Sequence, residues 1–183
     1  LVSKGLNFEQ VELVGIISAD QLVRYPDFRT GERAFQLMVQ VSGRSGRASE
    51  VGKVYIQYEK INPRLLAQIV QTDYVGFFND TLEERRKFAY PPFCRLIRLK
   101  FRHKNAALVS AAAEWFAALL RSHWGSRVIG PAPGLIPRIR NYYIYELLLK
   151  LERKQAVILE IKQQILDLQH QLMIHPEFKR VEL

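Results

Sequence analysis

Cysteine is almost missing from this chain of 183 residues. A single Cys94 excludes an internal disulfide and a zinc site built from cysteines, and its rarity points to a reducing, cytoplasmic compartment. Long apolar runs are absent too. None approaches the roughly 20 residues that span a bilayer, so no membrane partner is expected. No basic start leads into an apolar stretch with a small-residue cleavage site, so no secretory signal is read. Neither a Gly-x-x-x-x-Gly-Lys-Ser/Thr phosphate loop nor an acidic magnesium motif occurs, and this stretch alone is expected to bind no nucleotide or metal cofactor. It is also too short for a motor with two full lobes of about 150 residues each.

Acidic residues are the other shortage, 18 against 27 Lys and Arg, which leaves a net charge of +9. The excess is uneven. Residues 59–183 hold nearly all of it, and from Arg85 to Lys104 eight cations follow one another with no acid between them: Arg85, Arg86, Lys87, Arg95, Arg98, Lys100, Arg102 and Lys104. Such a local positive field suits a polyanion, usually nucleic acid; a solvated strand face and helix end is the alternative.

What is present reads as two parts. Val11 to Ile17 is a nearly continuous apolar run, the pattern of a parallel strand buried on both faces. Thr30 and Glu32 supply an N-cap and a first-turn acid to a helix with Ala34, Phe35, Leu37, Met38 and Val41 on one stripe. Gly43 and Gly46 end it, and Gly52 to Gln57 returns as a short strand. Residues 1–57 therefore give β-loop-α-β, too few strands to stand alone, and are expected to be the tail of a larger α/β domain. Residues 58–93 read as a helical connection with Asn62 as N-cap and Pro63 at the first helical position, stopped by Pro91 and Pro92.

From Cys94 the pattern changes. Arg98, Lys100 and Arg102 alternate with Ile97, Leu99 and Phe101, a half-polar strand. Asn105 opens a helix with Leu108, Ala112, Trp115, Phe116 and Leu119 on its apolar face. A strand begun at Arg127 to Gly130 is interrupted by Pro131-Ala132-Pro133-Gly134, and Tyr142 to Leu151 forms a long one. A last helix carries Ile158, Ile161, Ile165, Leu168 and Leu172 on one face. Lys179 to Leu183 resembles a strand just begun. Residues 94–183 thus predict an α+β domain in the ferredoxin-like order β-α-β-β-α-β.

The motif richest in chemistry is Gln40-Val41-Ser42-Gly43-Arg44-Ser45-Gly46-Arg47. Two arginines three apart, each after a glycine, sit where a helix unwinds, so both guanidinium forks can reach a phosphate. Placed against a transferring phosphoryl group, such a fork offsets charge that builds in the transition state. The plainer reading is a glycine helix stop with arginines complementing the helix dipole.

Gln-x-x-Gly-Arg-x-Gly-Arg resembles motif VI of superfamily 2 helicases, and Lys4-Gly5-Leu6-Asn7-Phe8 is similar to their motif V. With Pro26-Asp27-Phe28-Arg29, Glu84-Arg85-Arg86, Tyr90-Pro91-Pro92-Phe93, Gly130-Pro131-Ala132-Pro133 and Leu147-Leu148-Leu149-Lys150, essentially the whole chain resembles the PriA family of primosomal replication-restart helicases, also called primosomal protein N′. The resemblance implies an α/β fold: a partial RecA-like second lobe over 1–57, followed by the family's C-terminal domain. It implies an ATP-driven 3′ to 5′ DNA helicase acting at stalled forks in primosome assembly, inactive as this fragment alone. ATP and Mg²⁺ would be bound by the full-length protein, and zinc by cysteines upstream. In it Arg47 would be the arginine finger, Arg44 a second γ-phosphate contact, Gln40 part of the same network, and Lys4 and Gly5 positions of nucleotide or DNA coupling. Asn7 stands where the family usually has Asp.

DNA, as forks or single strand, is the expected partner of Arg98, Lys100, Arg102, Arg138 and Arg140. The last two interleave with Tyr142, Tyr143 and Tyr145 in a pattern that tracks a single strand; the alternative is tyrosines packed in the sheet. Lys154 lies where the resemblance implies contact with single-stranded-DNA-binding protein, and primosome proteins are implied partners as well. No metal site is read from His103, His123, His170 and His175. Two other functions stay open: a self-contained nucleic-acid or protein-interaction module, and another superfamily 2 translocase.

Overall fold

In a computed structural model, which describes residues 11–43 and 52–183, the protein is mixed α/β. It divides into two compact units between Glu84 and Arg85.

In the first unit, β1 (Leu13–Ile16) pairs in parallel with β2 (Lys53–Ile56), Leu13 opposite Lys53 and Ile16 opposite Ile56. Between them come a single turn, α1 (Asp20–Val23), and the helix α2 (Thr30–Ser42). Thr30 is the first helical residue rather than the expected N-cap: its hydroxyl donates to the Tyr25 carbonyl at 2.7 Å, while the Asp27 carboxylate accepts from the Arg29 N–H. Gly43 closes α2 by donating its N–H to the Val39 carbonyl, and Gly46 lies outside the described residues. The expectation of a first strand buried on both faces is corrected. Leu13 is 60% and Ile17 79% exposed, because among the described residues β1 has one strand neighbour and α2 on one side only.

The expected helical connection is two helices, α3 (Pro63–Gln71) and α4 (Tyr74–Lys87). The Asn62 side chain accepts from the Arg64 N–H, as its place before Pro63 predicts. Thr72 adopts a left-handed backbone that ends α3, and Asp73 restarts the chain by accepting from the Gly76 N–H at 2.8 Å. Phe77 stacks on Phe35 with ring centroids 4.4 Å apart, so both helices belong to the small core of Ala34, Phe35, Met38, Ile61, Ile69 and Phe77.

The second unit is an antiparallel sheet with two helices on one face. Its strands are β3 (Arg95–His103), β4 (Val128–Ile139) and β5 (Tyr142–Leu151), in the order β3-β5-β4, and its helices are α5 (Ala106–Trp124) and α6 (Gln155–Ile174). The expected last strand is a single antiparallel bridge between Arg102 and Glu182 on the free edge of β3. Phe101, Leu147, Leu149 and Leu151 meet Val109, Ala112, Ala113, Phe116 and Leu120 of α5 and Ile161, Leu168 and Leu172 of α6. The buried stripe of α5 is turned from the expected one. Three alanines let the helix approach the sheet, while Trp115 reaches sideways to His175 and Phe178.

β4 runs through its prolines instead of stopping at them. It is a sheet edge, where the missing N–H groups cost no ladder bond, and it bulges between Ile129 and Ala132 and again between Pro133 and Arg138. Gly130 has φ +94°, and a Cβ there would meet the Glu146 carbonyl at 2.9 Å, so only glycine fits.

Candidate nucleic-acid interface

Alternation along β3 decides where its cations go. Leu99 and Phe101 turn into the core, and Arg98, Lys100 and Arg102 project together from the opposite, helix-free face of the sheet, each about half exposed. The register places Leu148, Glu146 and Ile144 of β5 directly across from them. Glu146 lies 3.8 Å from Arg98 and 3.4 Å from Lys100, and Glu182 holds Arg102. The acid-free run of the sequence is therefore not acid-free in space. Four cations, Arg98, Lys100, Arg102 and Lys104, still face two carboxylates, and exposed ion pairs of this kind are weak enough in water to exchange for phosphate.

Arg140 and Asn141 form the two-residue turn that joins β4 to β5, with Arg140 at φ +55°. Arg138 does not join the open face. It pairs with Tyr143 and lies 5.1 Å from that ring, on the side where Tyr143 and Tyr145 pack against the core, so these two tyrosines are structural. Tyr142 is on the open face, with the Arg102 guanidinium 5.6 Å and the Lys104 ammonium 5.8 Å from its ring.

At the far end of β5, about 30 Å from that turn along its ten residues, the charges are engaged differently. Lys150 donates to the Phe88 carbonyl at 2.8 Å and sits 3.8 Å above the Tyr90 ring; Arg153 donates to the Pro92 carbonyl and Arg85 to the Pro91 carbonyl. Lys150 and Arg153 fasten the stretch from Phe88 to Pro92 to the end of β5, and Arg85 ties Pro91 back to its own helix end, a role its sequence did not announce. Cys94 is buried there, its thiol donating to the Ala89 carbonyl, and burial pushes its pKa up, which suits an inert side chain. Lys154 is exposed just before α6, 3.9 Å from Glu152, and the Arg127 guanidinium holds the Glu152 carboxyl below its ordinary value.

Gln40 is exposed near the end of α2. Arg44, Arg47, Lys4 and Gly5 lie outside the described residues, so the expected phosphate-facing cluster has no described geometry. The structure thus brings Arg98, Lys100, Arg102 and Lys104 onto one surface and sets Arg138 and Lys154 apart from it. Sequence reading missed the two carboxylates, because both are distant in the chain, and it missed the fastening by Lys150.

Among the described residues, the protein defined here is a helix-backed antiparallel sheet with a basic open face, preceded by a small α/β unit. Residues 86–176 match the family described as Primosomal protein N C-terminal domain. The replication restart protein PriA of Bacillus subtilis is 35% identical over 156 residues, covering 84% of this chain and 19% of that protein. PriA of Synechocystis is 38% identical over 166 residues, 88% of this chain and 20% of the relative, and PriA of Thermotoga maritima 30% over 158 residues, 86% and 21%. The chain belongs to the PriA family, as a stretch of its C-terminal part, and spans about a fifth of the length of these relatives.

Proposed function

We propose that this chain is the C-terminal part of an ATP-driven, 3′ to 5′ DNA helicase of replication restart, and that its open sheet face contacts DNA. The observation that carries the DNA contact is the cluster Arg98, Lys100, Arg102 and Lys104 on a face whose reverse side is committed to the core. The relatives' name, replication restart protein, supports DNA as the polyanion in this reading. In the same reading Arg47 and Arg44 meet the γ-phosphate, with Gln40 in their network and Lys4 and Gly5 coupling nucleotide to DNA. ATP, Mg²⁺ and zinc belong to other parts of the full-length protein. Single-stranded-DNA-binding protein, near Lys154, and primosome proteins are the remaining partners, in the cytoplasm.

Fluorescence anisotropy with a labelled single strand and a labelled fork tests the DNA contact. Arg98→Gln with Arg102→Gln should weaken binding about equally across sequences and flatten the slope of log K against log salt by about one to two units, since each lost phosphate contact releases about one counterion fewer. An unchanged slope would mean that these cations are only solvated.

A further inference from the structure

The second bulge of β4 is unusually large. Pro133 pairs with Tyr145 and Arg138 with Tyr143, so four residues, Gly134, Leu135, Ile136 and Pro137, stand opposite the single residue Ile144. The extra chain arches toward the open face: a Cβ on Gly134 would lie 3.0 Å from the Ile144 side chain and 3.4 Å from a Glu146 carboxylate oxygen, and both side chains belong to that face. Leu135 is 55% and Ile136 57% exposed, and Ile139, beside Tyr142, is 49% exposed. Three large apolar side chains therefore stand in water along one margin of the sheet. The opposite margin, two strand spacings or about 10 Å away, is the row of β3 cations.

A basic row and an apolar lip, separated by the reach from a phosphate to the far edge of its base, match the two halves of a nucleotide. A duplex presents its phosphates to such a surface but keeps its base faces stacked, so only an unpaired strand can use the lip. We propose that Leu135, Ile136 and Ile139 form a base-contacting lip for unpaired nucleotides, whose phosphates lie on Arg98, Lys100, Arg102 and Lys104. The charge of the row selects the occupant, and the inference rests on the DNA-binding reading of this face. Tyr142 forms the floor, its ring flanked by Arg102 and Lys104. The lip would make the face prefer single strands to duplex, which the cations alone would not.

The test compares a labelled oligothymidylate with a duplex of equal length, using the whole chain. Because Leu135 and Ile136 are exposed, Leu135→Ser with Ile136→Ser should leave the fold intact, checked by circular dichroism. Binding of the single strand should fall about tenfold, with duplex binding and the salt slope unchanged. Equal losses on both ligands, or no loss on the single strand, would overturn the lip. The Arg98→Gln, Arg102→Gln pair separates the two readings: if it too leaves binding and slope untouched, the DNA face itself fails, whereas a flattened slope with no effect of the serine pair removes the lip alone. Vesicles of phosphatidylglycerol and phosphatidylcholine supply a third arm. Vesicle binding abolished by the serine pair, with single-strand binding intact, would assign the lip to an anionic membrane and overturn the proposal.

Discussion

The two units differ in how much each can hold itself together. Among the described residues the first has seven buried apolar side chains in its core, and the second has eighteen. The first also leaves Leu13, Ile17, Tyr55, Val70, Tyr74 and Val75 well exposed, and its sheet is two parallel strands. Parallel pairs with an uncovered face are rare as independent structures. The second unit closes its core between a three-stranded sheet and two helices, and uses the other face for charge. The lesson is a difference in self-sufficiency: the unit that carries Gln40 has the smaller core and the more open sheet, and the unit that carries the β3 cations closes the larger core.

The largest effect that sharpens this comparison concerns Arg47. On the proposed helicase reading, Arg47→Ala in the full-length protein should lower DNA-stimulated ATP turnover by roughly 10³-fold or more with DNA binding nearly intact, because that reading gives Arg47 a transition-state contact and no share in the basic sheet face. Lysine there should rescue little, since a point charge does not reproduce the fork. Near-normal turnover in Arg47→Ala would remove the assignment.

Packing comes next in size. Phe116 is fully buried, edge-on to Phe101 at 5.2 Å, and Phe116→Ala should cost about 3–5 kcal/mol through the cavity it leaves. Both tryptophans, Trp115 and Trp124, lie in the second unit, so urea unfolding followed by their fluorescence reports that unit alone. Phe35→Ala, in the small core, should leave that transition where it was. A shift in the tryptophan transition from Phe35→Ala would show that the two units stand or fall together.

The smallest effect is with pH. Backbone N–H groups, that of Lys60 first and Glu59 with it, hold the Asp20 carboxyl below its ordinary 3.8, and the Arg64 guanidinium, assisted by Gln68, does the same for Asp80. A carboxyl whose folded pKa is depressed contributes stability that is full above its unfolded pKa and fades as pH falls through the folded value. Both groups belong to the first unit, so acidification below 3.8 should loosen it further. Asp80→Asn should flatten that dependence in amide exchange measured across the acid range. An equal acid response in the wild type and Asp80→Asn would show the pair to be irrelevant to it.

Much of this was legible in the sequence, for stated reasons. The alternation from Ile97 to Arg102 and the three-and-four spacing from Ile158 to Leu172 each commit one face to the core, so which side chains are buried and which exposed followed from local pattern. The Asn62-Pro63 start of α3 is likewise a local device. What did not follow is non-local. Glu146 and Glu182 reach the β3 cations only because β5 and the chain terminus flank that strand, and the four-residue bulge exists only against Ile144. The prolines of β4 read as a break because edge position, which tolerates them, is a property of the sheet and not of the segment. Val11 to Ile17 has the apolar pattern of a doubly buried strand, and the described neighbours cover only part of it, since the strands and helices that would cover the rest are non-local.

Amide hydrogen exchange on this chain tests the division between the units most directly. Slow exchange is expected at the inter-strand amides of Tyr142–Leu151, which lie between β3 and β4 over the main core, and markedly faster exchange at Leu13–Ile16. Slower exchange in Leu13–Ile16 than in Tyr142–Leu151 would contradict it, and the first unit would then have to be counted as a stable domain in its own right.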